Sequence, residues 1–351
     1  MGAPVRLGAT EDPTTADPVG LAELAGLAGA GVEGAVARAD ALGRTVPVPG
    51  RGATLRRWEA LATLGAADLV VARALEPHLD ALAILDEAGP SAGPTSTSRV
   101  PPDATWGVYA AEGPGARLEA HEGPDGWRLT GRKPWCSLAG TVSHALVTAW
   151  VDETRRGLFA VALRQPGVEV EDGTWSPAGL SEVVTTPVAF TDVATTPVGG
   201  PGWYLVRPGF GWGGIGVAAV WHGGAVGVAR RVHAQAQRRE PDQVALMHLG
   251  AIDAVLTASR LALADSAAAI DAGDADGEAG MLLAARVREV VATAAEDVLR
   301  RAAHTLGPGP LSQEPEHARR VADLSLYLRQ HHAERDAAAL GRLVADAEAP
   351  W

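Results

Sequence analysis

The chain has 351 residues, a formal net charge of -12 at pH 7 and a single cysteine, Cys136. That length predicts two or three compact units, each able to bury its own apolar side chains. The lone cysteine excludes an intramolecular disulfide and a multi-cysteine zinc site, so the cytoplasm is the default compartment, and the acidic balance opposes nonspecific nucleic-acid binding.

Residues 1–17 carry acids and prolines and predict a flexible N-terminus that is neither signal nor anchor. Over 18–103 the spacing predicts an N-terminal helical domain ending in a linker: Leu61, Leu64, Leu69, Ala72 and Leu75 recur every three or four residues. Pro77 falls inside that pattern and should end or kink a helix, because proline lacks the amide proton. Gly89 to Asp103 is rich in proline, serine and glycine and predicts the linker. Over 104–206 the period changes to two. Short strands are expected at 108–111, 116–121, 127–130, 144–151, 158–163, 168–170 and 187–190, with a hairpin turn at Gly-Pro-Asp-Gly, 123–126. Over 207–351 helical spacing returns in four long segments, near 214–239, 243–271, 281–306 and 317–346, which predict a four-helix bundle. No apolar run reaches the ~20 residues of a membrane span. The fold class expected is α+β, with a helical domain, a β-barrel-like domain and a helical bundle in that order.

The stretch TGRKPWCSLA, Thr130 to Ala139, holds the only lysine, Lys133, and Cys136 with Trp135 between them. A catalytic cysteine needs a nearby base, whereas a lone cysteine in a strand reads as a small buried apolar residue. No metal site is expected, since His331 and His332 are adjacent and would diverge by about 100° on a helix. The GWGGIG run, Gly211 to Gly216, lacks the βαβ context of a dinucleotide fingerprint and reads as a flexible lead into a helix.

Three stretches together carry more. VYAAEGPGARLEA (Val108 to Ala120), then GRKPWCSLAGTVSHALVTAWV, then a helix with GIGVAAVWHGGAVGVARRVHAQAQRRE resemble the acyl-CoA dehydrogenase superfamily of flavoproteins over residues 15–346. The family motifs are Thr-Glu-Pro-Gly-Ala-Gly-Ser-Asp, Gly-x-Lys-x-Trp-Ile-Thr, and Gly-Ala-Val-Gly on a helix ending in arginine. The resemblance implies FAD between the β domain and the bundle. Trp135 would pack on the flavin, and Ser137 would donate to its redox-active nitrogen. The backbone of Tyr109, Ala110 and Ala111 would meet the pyrimidine edge. Arg239 would reach the diphosphate of a neighbour's cofactor, which implies a homodimer or homotetramer, while His304 and the turn at Gly307 would lie against cofactor. The chemistry suits these roles: an indole face stacks on a flat heteroaromatic ring, and a donor aimed at the hydride-accepting nitrogen stabilises the reduced form. Glu112 keeps the acid of its motif, but Ala111 replaces threonine and Gly115-Ala116-Arg117 replaces Gly-Ser-Asp.

The catalytic base departs most. Dehydrogenation needs a carboxylate for the α proton. Alignment puts His331 at the usual glutamate position and Val217 at the alternative one. Trp221 and His222, one turn beyond Val217, are expected to line the substrate cavity, and His331 and His222 are the candidates for proton transfer. The implied function is hydride transfer from a small acyl thioester to FAD, with an electron-transfer partner. Its alternatives are a monooxygenase of the same superfamily fed by a flavin reductase, and a non-catalytic scaffold or partner subunit that keeps the fold.

Overall fold

The computed structural model describes residues 2–8, 19–89, 103–173 and 175–346. Helices α1 (Leu21–Ala25), α2 (Gly31–Val36) and α3 (Ala39–Thr45) precede two longer ones, α4 (Thr54–Ala67) and α5 (Leu69–Ala88). Asp68 separates the last two because its Oδ1 accepts from the amide of Val70 at 2.9 Å, a side-chain cap that starts α5 afresh. Contrary to expectation, α5 continues through Pro77. Most of its residues are buried, and that packing offsets the ~3 kcal/mol that an interior proline costs. The loose terminus expected over 1–17 is also corrected for 2–8: Val5 and Leu7 are buried, and their amides donate to Thr63 Oγ1 and Glu59 Oε1. Most of the predicted linker lies outside the described residues.

The middle of the chain supplies strands β1 (Trp106–Tyr109), β2 (Leu118–Gly123), β3 (Gly126–Ser137), β4 (His144–Trp150), β5 (Arg156–Ala162), β6 (Val168–Val170) and β7 (Thr185–Val198). They form one sheet in the order β1-β4-β2-β3-β7-β5, and β5 pairs with β4 as well as β7. Five strands therefore close into a ring, which removes their free edges. Alternate side chains such as Leu129, Val147, Phe159 and Val193 fill its interior. The hairpin turn falls where predicted, with Gly123 paired to Gly126.

The bundle is built from α7 (Pro208–Arg238), α8 (Gln243–Ala272), α9 (Gly277–Leu306) and a broken fourth segment, entered through the short helix α6 (Trp203–Val206). The single helix expected over 317–346 is instead α10 (Pro308–Gln313), α11 (Pro315–Tyr327), a 3₁₀ turn (Leu328–Gln330) and α12 (Glu334–Ala345). His331 is extended and Ala333 has φ of 46°, so the chain turns at this point instead of coiling on. Helices α4 and α7 cross at Gly65 and Gly223, where a Cβ would stand 2.4 Å from Val220 O and 2.0 Å from Ala62 O respectively. Only glycine permits that approach. Helix α8 is long and apolar enough, by length and composition, to cross a membrane, contrary to the expectation of no such run. It packs on α7 and α9 along one side and leaves Leu246, Met247 and Leu261 exposed on the other.

Candidate active site

The site is organised by an irregularity in β3. Lys133 pairs with Val188 and Cys136 with Thr186, so β3 spends one residue more than β7 between them. The extra residue makes a bulge. Within it Trp135 takes φ of 58°, a left-handed conformation that costs roughly 1–2 kcal/mol for a residue with a Cβ. The bulge turns the indole out of the barrel, where it is 60% exposed. Its ring nitrogen lies against Gly113, at which a Cβ would come within 3.6 Å, so the two stretches singled out in the sequence meet here.

The neighbours of Trp135 point inward and hold the bulge. Lys133 is buried, and its Nζ donates to Glu112 at 2.6 Å and Thr148 at 2.8 Å. Partial burial opposes ionisation of Glu112, but the hydrogen bonds from Lys133 and Arg156 prevail and hold its carboxyl below the ordinary range. Cys136 is fully buried, and burial pushes its thiol up to about 12, so it is a core residue. Tyr109 is buried too, and its hydroxyl donates to the carbonyl of Ser137 at 3.0 Å. Ala110 is half-buried and Ala111 exposed beside it.

Ser137 is half-buried with its hydroxyl in a defined setting. Arg73 Nη2, from α5, donates to Ser137 Oγ at 3.1 Å, and Thr185 Oγ1 lies at 2.9 Å from both Ser137 Oγ and Val183 O. Thr185 has one proton for two acceptors. When it turns to Ser137, the serine oxygen accepts twice and its own proton is left to donate outward. Arg73 Nη1 is buried without a partner among the described residues, as is the hydroxyl of Tyr327, whose ring lies 5.8 Å from the guanidinium carbon. A buried unmatched donor held at Ser137, two residues from the exposed indole in the chain, fits a polar ligand rim.

A cavity of about 540 Å³ opens between α5, the start of α7, α9 and the break before α12. Glu76, Asp80, Arg207, Val217, Arg288 and His331 are among its lining residues. His331 is buried, and its Nε2 lies 3.3 Å from Glu289 Oε2 and 3.9 Å from Asp336 Oδ2. Trp221 and His222 are placed otherwise than expected. Trp221 is fully buried behind the wall, edge-on to His331 at 6.2 Å and covered by the Arg288 guanidinium at 4.8 Å. His222 faces α8, where its Nδ1 lies 2.8 Å from Ser259 Oγ, and burial lowers its pKa to about 4. Consecutive helical residues diverge, so the face bearing Val217 turns away before His222.

Arg239 caps α7 as an exposed residue with no ion-pair partner among the described residues. It lines a smaller cavity with Thr305, so the exposed ring of His304 and the turn at Gly307, with φ of 67°, belong to the same end of the bundle. This end is a second cluster, apart from the residues around Trp135. Residue spacing did not draw attention to Arg73, Glu76 and Asp80. A signal was present: three charges at spacings of three and four on one face of an otherwise buried helix.

The family described as acyl-CoA dehydrogenase, C-terminal domain, matches residues 200–329. That match covers part of the bundle, and the fold of the whole chain is acyl-CoA dehydrogenase-like. No curated protein matches the sequence. Among solved structures, the butyryl-CoA dehydrogenase of Megasphaera elsdenii superposes with a TM-score of 0.77 at 18% identity, covering 96% of this chain and 100% of its own. KijD3, solved with FMN and dTDP-3-amino-2,3,6-trideoxy-4-keto-3-methyl-D-glucose, gives 0.78 at 21%, covering 97% and 96%. The dibenzothiophene monooxygenase TdsC of Paenibacillus sp. A11-2 gives 0.72 at 16%, covering 92% and 95%. At these identities the likeness is one of fold. Val217 and His331, the two positions at which the resemblance would place a base, both line the cavity, and neither is a carboxylate.

Proposed function

We propose that the chain is a flavin-dependent oxidoreductase whose ring cofactor lies against Trp135, with Ser137 and Arg73 at its polar edge. The supporting observations are the outward indole on a strained bulge and, at Ser137 two residues further along, a buried guanidinium nitrogen that has no partner among the described residues. When bound, flavin supplies two-electron chemistry at its ring, either accepting hydride or, once reduced, reacting with oxygen. The chain's own part is to seat and polarise that ring. Trp135 offers a flat apolar face, the Ser137 hydroxyl donates to a ring nitrogen, and Arg73 places positive charge where electron density rises on reduction. The barrel end of the Tyr109–Ala111 segment brings backbone groups to the same rim.

Of the two reactions, oxygenation with reduced flavin is favoured by His331 in the cavity wall, because oxygen transfer needs no carboxylate for an α proton. Dehydrogenation of a small acyl thioester is the second reading, favoured by Glu76, a carboxylate that the fold brings to the same cavity from α5. FAD is the cofactor of this reading, since Arg239 and the turn at Gly307 would suit the diphosphate and nucleotide end of a neighbour's cofactor. FMN accompanies TdsC and KijD3 in solved structures and is the shorter alternative. A homodimer or homotetramer belongs to the proposal, supported by the exposed apolar side of α8. So does a cytoplasmic location.

The test is anaerobic. Protein loaded with FAD or FMN is mixed with butyryl-CoA, and separately with a flavin reductase and NADH followed by oxygen. Bleaching only by the reductase, with oxygen uptake afterwards, supports the oxygenase; bleaching by the thioester moves the assignment to dehydrogenation. Protein that takes up neither flavin is the scaffold, and the proposal is then lost.

A further inference from the structure

His331 is held in the cavity wall from several sides before any ligand arrives. Its amide donates to Leu328 O at 2.9 Å, and Arg288, from α9, donates to the carbonyl of the preceding Gln330 at 3.0 Å. Its ring stands edge-on to Trp221 of α7 at 6.2 Å, and Arg288 covers the same indole at 4.8 Å. The whole residue is buried, so little solvent competes with these contacts. A side chain fixed by packing and hydrogen bonds suits proton transfer, which depends on geometry first.

The ring also has a chemical partner. Nε2 lies at ion-pair distance, 3.3 Å, from Glu289 Oε2, and that oxygen is buried without a well-aligned hydrogen-bond donor among the described residues. The other oxygen, Oε1, accepts from Thr293 Oγ1 at 3.4 Å, one turn along α9, which orients the carboxylate. A buried acceptor is satisfied when the neighbouring donor turns its proton to it, and here that donor is the imidazole. Asp336 competes at 3.9 Å from the same nitrogen, but the next residue engages it: the His332 amide donates to Oδ2 at 3.2 Å, and His332 Nδ1 lies 3.3 Å from Oδ1. Glu289 therefore selects the tautomer with its proton on Nε2, which leaves Nδ1 as an acceptor.

We infer that Glu289 is a positioning residue for His331: it holds the imidazole with its proton on Nε2, so that Nδ1 accepts a proton from a substrate in the cavity. The inference deepens the flavin-dependent reading by naming the pair that moves the proton, and it rests on that reading only for the reaction that releases it. A shared metal ion is the competing use of these side chains, but no group of three or more histidine, cysteine or acidic residues suited to a metal occurs among the described residues.

In the step, the bond between the hydrogen and its donor atom in the substrate breaks, its electron pair stays on that atom, and the Nδ1 lone pair forms the new N–H bond. The imidazolium so formed faces the Glu289 carboxylate, whose opposite charge favours it. Asp336 from α12 acts in the same direction from further off, and Arg288 from α9 opposes it. Glu76 and Asp80 of α5, Arg207 and His332 are the remaining ionisable groups of the cavity wall. The pair thus supplies both the acceptor and the charge that stabilises it once protonated.

The experiment is nitrogen-15 NMR of the full chain, without flavin, labelled at histidine and recorded at pH 8, with the His331 signals identified by their loss in His331→Gln. The natural chain is expected to hold the Nε2–H form of His331 in about tenfold excess or more, and Glu289→Leu should lower that ratio at least threefold. Asp336→Asn should leave it unchanged. A proton on Nδ1 in the natural chain overturns the inference and decides the matter even where Glu289→Leu melts early. Equal ratios in the natural chain and Glu289→Leu overturn it too, as does a ratio that follows Asp336 instead. In whichever arm of the flavin test gives turnover, Glu289→Gln should lower kcat at least tenfold with little change in KM, and Glu289→Asp should recover part of it; an unchanged kcat overturns the inference. Because the spectra are taken on flavin-free protein, absence of flavin uptake refutes the redox reading alone.

Discussion

Trp135 holds a left-handed backbone conformation and exposes 60% of its surface, two features that work against stability. Glycine would relieve roughly 1–2 kcal/mol of strain at this φ while adding ~0.5–1 kcal/mol of unfolded-state entropy. Trp135→Gly should therefore leave the melting temperature unchanged or higher, yet weaken flavin retention tenfold or more on a desalting column. Lower stability together with full flavin retention would reverse the assignment of this residue. Next to it, Cys136 should resist an aromatic disulfide reagent at pH 8 in the folded chain and react in denaturant, since a thiol raised to about 12 is almost wholly protonated there. Rapid reaction of the native protein would mean that the strand opens at the bulge. The reading of Cys136 as core and Trp135 as outward was legible from their alternation on a strand. The bulge was not, because it depends on how β7 registers beside β3.

Among the elements, α5 links the parts that matter. Arg73 serves the rim at Ser137, and Glu76 and Asp80 serve the cavity, so one buried helix meets both the barrel and the bundle. The crossing of α4 and α7 fixes the depth at which Val217 reaches that cavity. Adding a methyl group at Gly223, whose Cβ would meet Ala62 O at 2.0 Å, forces these helices apart. Gly223→Ala should cost about 1–3 kcal/mol and lower the melting temperature, with the same change at Gly224 costing less because only Leu324 and Leu69 side chains lie near it. Equal effects at both positions would show that the backbone contact is not what limits the approach. The four helical segments of the bundle were readable from their periodicity. The break at His331 was not, because it comes from an extended residue and a positive φ that helix propensity does not announce.

For the whole molecule, buried histidines and a buried acid pull stability in opposite directions with pH. Burial lowers His78 and His222 to about 4, so below pH 6.5 the unfolded chain takes up two protons that the fold refuses, and stability falls. Glu76, raised to about 7, acts the other way: between pH 7 and 4.5 the fold holds a proton that the unfolded chain releases, and stability rises as pH falls. Each proton corresponds to about 1.4 kcal/mol per pH unit where the two states differ fully. Glu76→Gln removes the compensating slope, so its urea midpoint should drop more steeply than that of the natural chain between pH 6.5 and 5. Parallel curves would show that the Glu76 carboxyl titrates as in water.

The sequence by itself determined the order of helical domain, barrel and bundle, because apolar periodicity switches from about 3.6 to two and back, and each period commits a segment to one geometry. It also named Trp135, Ser137 and Val217, whose neighbours in the chain mark their places. The tertiary structure alone decided that Glu76 and Asp80 share a cavity with His331, that Arg73 reaches Ser137, and that His222 faces α8. Those relations join residues up to 255 positions apart, as between Glu76 and His331. They follow from which faces pack together, and local patterning does not specify that.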